Sequence, residues 1–148
     1  MQIKTTFNYS PNFNLKKRLK KQIKFIIIHY TGMKKESDSI NRLTDIQSQV
    51  SSHYLIKNNG NIMTLVPNLF IAWHAGRSSW GNFNSLNKYS IGIEISNPGH
   101  QFNYKKFSKN QITSLIKLIK KLKKEYNINS KNILGHSDIA PNRKKDPG

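Results

Sequence analysis

Apolar residues in this chain come in short runs separated by polar, lysine-rich stretches. The first run, Lys24-Phe25-Ile26-Ile27-Ile28-His29-Tyr30, is β-branched and is closed by Gly32, which predicts a buried strand. Ile40, Leu43, Ile46 and Val50 recur at spacings of three, three and four, which predicts an amphipathic helix over Ser37–Val50 capped by Ser37 or Asp38. His53–Lys57 and Ile62–Val66 flank Asn58-Asn59-Gly60. That is a hairpin signal, because Asn-Gly accepts the positive φ of a tight turn. Ser90–Ile95 alternates as a strand, with Ile91, Ile93 and Ile95 on one face and Glu94 on the other. Ser108 and Gln111 form a capping-box pattern ahead of Ile112, Leu115, Ile116, Ile119, Leu122 and Tyr126 at helical spacing, with Lys117, Lys120, Lys121 and Lys124 facing away. Asn132–Leu134 reads as a last short strand running into Gly135 and His136.

Three stretches have no clear period. Residues 1–22 read as an irregular basic arm lying on the domain, Pro67–Lys88 as a long loop holding both tryptophans, and Ser137–Gly148 as a loop rich in Pro and Lys. Long loops inside small domains tend to carry function. The mixed order of strands and helices predicts one α/β domain over residues 23–148, with a mixed central β-sheet flanked by helices. A purely parallel sheet is disfavoured, because the hairpin forces an antiparallel pair.

Composition adds constraints. At 148 residues the chain has material for about one domain. It has no cysteine, which excludes disulfides, thiolate metal sites and a cysteine nucleophile. Lys and Arg outnumber Asp and Glu by 25 to 7, a formal net charge of +18. Such a charge draws a protein toward polyanions. Yet 21 of these cations are Lys and only 4 are Arg, and Lys, Asn and Ile are also what an AT-rich genome supplies. Both readings of the charge stay open at this stage. Apolar runs such as Phe25–Ile28 are too short to span a bilayer, and Met1–Lys24 has no apolar core of a signal peptide. Action in the cytoplasm is the resulting expectation, with the cell envelope as the alternative.

The chemistry-bearing residues are few. His29 and His136 each end a strand, and Asp146 follows His136 ten residues later. Two imidazoles and a carboxylate make a three-ligand set for a catalytic Zn²⁺ with an open fourth position. A pair of buried, hydrogen-bonded structural histidines is the plainer alternative. Glu94 sits among apolar strand neighbours, where desolvation would raise its pKa and suit a general base; a half-exposed sheet residue is the alternative. There is no Gly-x-Ser-x-Gly elbow, phosphate loop or dinucleotide fingerprint.

Five blocks occur in order: Ile28-His29-Tyr30-Thr31, Val50-Ser51-Ser52-His53-Tyr54-Leu55-Ile56, Ala72-Trp73-His74-Ala75-Gly76, Ser90–Ile95, and Gly135 through Gly148. Together they resemble the zinc-dependent N-acetylmuramoyl-L-alanine amidases of the amidase-2 type, related in fold to the peptidoglycan recognition proteins. The resemblance covers roughly Lys24 to Gly148. It implies zinc held by His29, His136 and Asp146, water activation by Glu94, and oxyanion support from Lys144. It also implies a groove lined by His74, Arg77, Trp80 and Asn97. Trp80 would stack on substrate and Arg77 would hold a carboxylate of the stem peptide. The implied substrate is peptidoglycan or a muropeptide, cut between the lactyl group of N-acetylmuramic acid and L-alanine.

Two positions depart from the family pattern. The family usually continues past Asp-Pro-Gly, so either the domain is truncated there or a metal ties the tail down. Phage-type members carry a Tyr where this chain has Ser52, which leaves the base role to Glu94, as in the bacterial branch. A noncatalytic wall-binding module of the same fold is the runner-up. No specific nucleic-acid partner is expected, because clustered Arg is missing, and a monomer with no transmembrane segment is expected.

Overall fold

The structure is a computed structural model, and it describes residues 3–148. Among the described residues ten strands and three α-helices follow in order: β1 (Thr5–Phe7), β2 (Phe13–Asn14), β3 (Phe25–Tyr30), α1 (Glu36–Thr44), β4 (Tyr54–Ile56), β5 (Ile62–Thr64), β6 (Ile71–Ala72), β7 (Ser79–Trp80), β8 (Phe83–Asn84), β9 (Ser90–Ile95), α2 (Lys109–Tyr126), β10 (Ile133–Gly135) and α3 (His136–Ile139). Six strands form one sheet in the order β1-β5-β4-β9-β3-β10. Only β4 and β5 pair antiparallel; the other neighbours are parallel. The expected mixed sheet is therefore present. Its hairpin turns at Gly60 (φ 88°), whose N–H donates to the Lys57 carbonyl at 2.8 Å.

The run of β3 is apolar on both sides because it lies between β9 and β10 with both faces covered. Ile26 joins Ile91, Ile93, Ile95, Tyr54 and Ile56 on the face that packs against Leu118 and Leu122 of α2. Phe25 and Ile27 point the other way, with Leu134, Leu86 and Ile139. Leu55 also faces that second side and packs with Leu43 of α1. Strand alternation therefore sends His29 and Glu94 to the face opposite α2, and both lie near the C-terminal ends of parallel strands. In open α/β sheets that end is where ligands bind.

The helices depart from the sequence reading in instructive ways. α1 begins at Glu36 and ends at Thr44, and its N-terminal flank, Lys35, makes no side-chain cap. Acidic Glu36 and Asp38 instead complement the helix dipole. Asp45 stops the helix, since its side chain accepts from the Gln47 N–H and starts a separate 3₁₀ turn over Ile46–Ser48. Ile46 is consequently exposed. In α2 the Ser108 cap and its reciprocal Gln111 bond are both made, at 3.2 and 3.0 Å. The buried stripe is narrower than the sequence pattern. Gln111, Leu118 and Leu122 are buried, while Ile112 and Ile116 stay exposed. Gln111 takes an inward position because its amide donates to the Ser96 carbonyl at 2.7 Å. The four outward lysines are exposed, as expected.

Of the segment read as an irregular arm, residues 1 and 2 lie outside the described residues, and the rest is built into the domain. β1 extends the sheet edge beside β5, and β2 pairs with β6. Arg18 is only 5% exposed and has no acidic partner. Its guanidinium donates to the carbonyls of Asn68, Asn87 and Lys88. Burial lowers its pKa to about 10, so it stays charged at neutral pH. At the other end, Ser137–Gly148 is not all loop, because His136 opens the single turn of α3.

His53 is fully buried at the start of the β4 hairpin. Its Nδ1 accepts from the Gly92 N–H at 3.0 Å and its Nε2–H donates to the Phe70 carbonyl at 2.8 Å. A proton on Nδ1 would break the first bond. Burial, followed by the Arg18 charge, lowers the pKa of His53 from 6.5 to about 3. The unfolded chain therefore takes up a proton from about pH 6.5 downward that the folded chain refuses. Stability falls as pH drops through that window, by on the order of 4 kcal/mol by about pH 3. Acid unfolding followed by circular dichroism should show a shallower pH dependence in His53→Gln than in wild type; equal slopes would remove this group from the acid response.

Candidate metal centre and catalytic groove

His29 leaves β3 beside Glu94 of β9, its partner in the strand register. Gly135 pairs with Ile28 on the other side, so His136 emerges next to His29. Asp146 reaches the same point because its carbonyl accepts from the Ser137 N–H at 2.9 Å, which fastens the tail to the start of α3. The result is a triangle. His29 Nδ1 lies 2.9 Å from His136 Nδ1, and Asp146 Oδ2 lies 3.2 Å from each. Ligands about 2.05 Å from one tetrahedral ion sit about 3.3 Å apart, so this spacing suits a shared metal.

The hydrogen-bond network assigns the protons. His136 Nε2 faces the Ala75 carbonyl at 2.9 Å and must carry the hydrogen. Ser90 gives its hydroxyl proton to the Leu86 carbonyl at 2.6 Å, so His74 Nε2, 3.1 Å from Ser90 Oγ, is the donor there. Neutral His74 then offers Nδ1 as an acceptor, and His29 Nε2–H donates to it at 2.9 Å. Both remaining Nδ1 atoms are thus lone pairs, and they meet a carboxylate oxygen. No proton is left to reconcile three converging lone pairs, whereas a cation would. The donor set of two imidazoles and one carboxylate fits zinc.

Electrostatics agree with that assignment. Burial lowers the His29 pKa to about 4 against the opposing pull of Asp146. Burial and the neighbouring histidines hold His74 well below its usual value. Burial alone would raise Asp146, but the adjacent His136 and His29 rings outweigh that and hold it well below the usual carboxylate range. Glu94 is pushed well above its ordinary value, first by burial and then by the Asp146 charge, with Lys144 and Arg42 opposing. Its Oε2 is shut off from solvent with no protein hydrogen-bond partner.

These groups border an open cavity of about 700 Å³. His29, His74, Glu94, His136, Lys144 and Asp146 line it. Arg77, Trp80 and Asn97, also expected on the groove, do not. Trp80 and Arg77 are exposed on or near the β7–β8 hairpin. Asn97 is buried and spends its side chain on the Lys105 carbonyl and the Gly99 N–H, shaping the loop after β9. The tryptophan on the groove is Trp73, and the added cations are Arg42, Arg143 and Lys145. Trp73 stands next to His74 in the sequence block already singled out, so its position was the available signal; Arg42 left none, since it looks like any polar residue of an amphipathic helix.

This fold and this site define a class. Residues 19–148 match the N-acetylmuramoyl-L-alanine amidase family, and the chain belongs to it. Its relatives include the N-acetylmuramoyl-L-alanine amidase AmiD of Escherichia coli, 44% identical over 139 residues, which cover 86% of this chain and 49% of AmiD. The 1,6-anhydro-N-acetylmuramyl-L-alanine amidase AmpD of Haemophilus influenzae is 32% identical over 94% of this chain and 83% of its own length. The chain thus spans about half the length of AmiD. Among solved structures, AmiD in complex with anhydro-N-acetylmuramic acid-L-Ala-D-gamma-Glu-L-Lys superposes with a TM-score of 0.77 at 42% identity, covering 86% of this chain and 53% of that one. AmpDh3 of Pseudomonas aeruginosa with an anhydromuramic pentapeptide gives 0.80 at 34% identity, covering 93% and 60%. Among the described residues no helix is long and apolar enough to cross a membrane.

Proposed function

We propose that this chain is a zinc-dependent amidase domain that hydrolyses the amide between the lactyl carboxyl group of N-acetylmuramic acid and the amine of L-alanine in peptidoglycan fragments. The observation that carries it is the convergence of His29 Nδ1, His136 Nδ1 and Asp146 Oδ2 beside Glu94 and Lys144 on one cavity. The muropeptides bound by AmiD and AmpDh3 supply the substrate class.

His29, His136 and Asp146 would hold the metal. Zinc bound there would polarise the scissile carbonyl and make water a stronger nucleophile near neutral pH. Glu94 accepts a proton from the attacking water as its oxygen bonds to the carbonyl carbon, and gives that proton to the alanine nitrogen as the C–N bond breaks. The raised pKa of Glu94 suits it to hold the proton between these steps, and a dication held by the triad would favour its carboxylate form beforehand. Lys144 lines the same cavity and would support the carbonyl oxygen as it gains negative charge. The carboxylate-binding role expected of Arg77 passes to Arg42 and Lys145, which do line the cavity. A groove rich in cations suits a stem peptide rich in carboxylates.

The test is a zinc titration of the purified chain with product analysis on an anhydro-muropeptide. Stem-peptide release should require zinc, vanish with a chelator and return on adding the metal back. Zinc uptake without release would leave a wall-binding module, and no uptake would remove the metal centre.

A further inference from the structure

Histidine ligands depend on what holds their second nitrogen. Here both are held from two consecutive residues. His74 accepts from His29 Nε2–H, and the next residue, Ala75, offers its carbonyl to His136 Nε2–H. This segment is itself clamped. Asn87 Oδ1 accepts the backbone N–H of His74 at 3.1 Å and of Ala75 at 2.7 Å. Ser90 sets the tautomer of His74 from behind. Arg143 adds a second donor to the Ala75 carbonyl at 3.2 Å, which links the clamp to the segment that carries Lys144 and Asp146. The sheet makes room for it at Gly92, where a Cβ would overlap the His74 ring.

We infer that His74 is a positioning residue for the metal centre: with Ser90 behind it, it fixes His29 as the Nε2–H tautomer and aims its Nδ1 lone pair at the ion, while the adjoining Ala75 carbonyl does the same for His136. The inference rests on the zinc reading of the site. It stands beside the groove-lining role that the family resemblance implies for His74, which does line the cavity. A chain of fixed donors runs from the Leu86 carbonyl through Ser90 and His74 to His29, and no member of it can shift its proton without leaving a buried group unpaired. Outer partners of this kind typically account for 10–100-fold in metal affinity.

The variants His74→Leu, His74→Asn and Ser90→Ala separate positioning from mere packing. Asparagine puts its Oδ1 where the ring has Nδ1, so it still accepts from His29; leucine cannot. Zinc affinity is measured by competition with a chromophoric chelator, and folding by thermal melting of the metal-free proteins. The leucine variant should bind zinc about 10–100-fold more weakly than wild type, and asparagine should recover most of the loss. Ser90→Ala should weaken zinc at least several-fold, and it decides the matter if the leucine variant does not fold. Wild-type affinity in a folded leucine variant, equal losses in leucine and asparagine, or unchanged affinity in Ser90→Ala would each overturn the positioning role while leaving the metal centre intact. A wild-type chain that takes up no zinc would remove the metal centre itself.

Discussion

Replacing Glu94 by glutamine should lower kcat on a muropeptide by about 10²–10⁴-fold while zinc affinity stays within a few-fold of wild type. Glutamine keeps the shape of the side chain but cannot take a proton from water or pass one to the leaving amine. The substitution is well isolated, because Glu94 is not in the His29–His136–Asp146 triangle and its Oε2 makes no protein hydrogen bond that would be lost. Stability gives a second readout. Burial raises the pKa of Glu94, so ionising it opposes folding in the metal-free chain. Above that raised pKa the metal-free glutamine variant should melt at or above the wild-type temperature. A variant that binds zinc and keeps wild-type turnover would take Glu94 out of the reaction.

Arg18→Met should destabilise the fold by about 3 kcal/mol, because hydrogen bonds from a charged donor are worth roughly 1.5–3 kcal/mol each and methionine offers none. For a domain of this size that corresponds to a fall in melting temperature of about 6–12 °C. The guanidinium ties the N-terminal segment to the carbonyls of Asn68, Asn87 and Lys88. Asn87 is also the residue that clamps His74 and Ala75. Zinc affinity should therefore drop along with stability, although Arg18 does not line the cavity. Differential scanning calorimetry on the metal-free chain checks the first part; a change under about 1 °C would mean that methionine packing compensates for the lost donors.

The elements legible in the sequence were those with a strong period or a local chemical signature. The β-branched run at Phe25–Tyr30, the alternation of Ser90–Ile95, the Asn-Gly turn and the Ser108–Gln111 box all form as read. The candidate metal triad was one of two open readings of the residues, and only the resemblance favoured it, because positions 29, 136 and 146 share no compact spacing and meet through the parallel pairing of β3 with β10. What the sequence did not show depends on polar residues used inward. Arg18 and Asn12 look like surface residues of a basic arm, yet both are buried because backbone carbonyls there need donors. Ile112 and Ile116 look like core and are not, because Gln111 occupies an inward position on that face of α2. No periodic signal separates Trp80 from Trp73, so the pattern of the sequence does not say which of them lines the groove.

The sheet closes mainly through partners distant along the chain. β4 and β5 are its only neighbours joined by a short turn, whereas β3 must find β9 and β10, and β1 must find β5. Chains dominated by such remote pairings fold slowly, since loop-closure entropy is lost before the contacts that offset it are made. The three ligands come from opposite ends of the polypeptide, so the ion can be captured only near the end of that search. On the proposed zinc reading the ion would be a latch on a finished structure rather than a seed for an unfinished one, and during refolding its uptake should trail the recovery of helical signal.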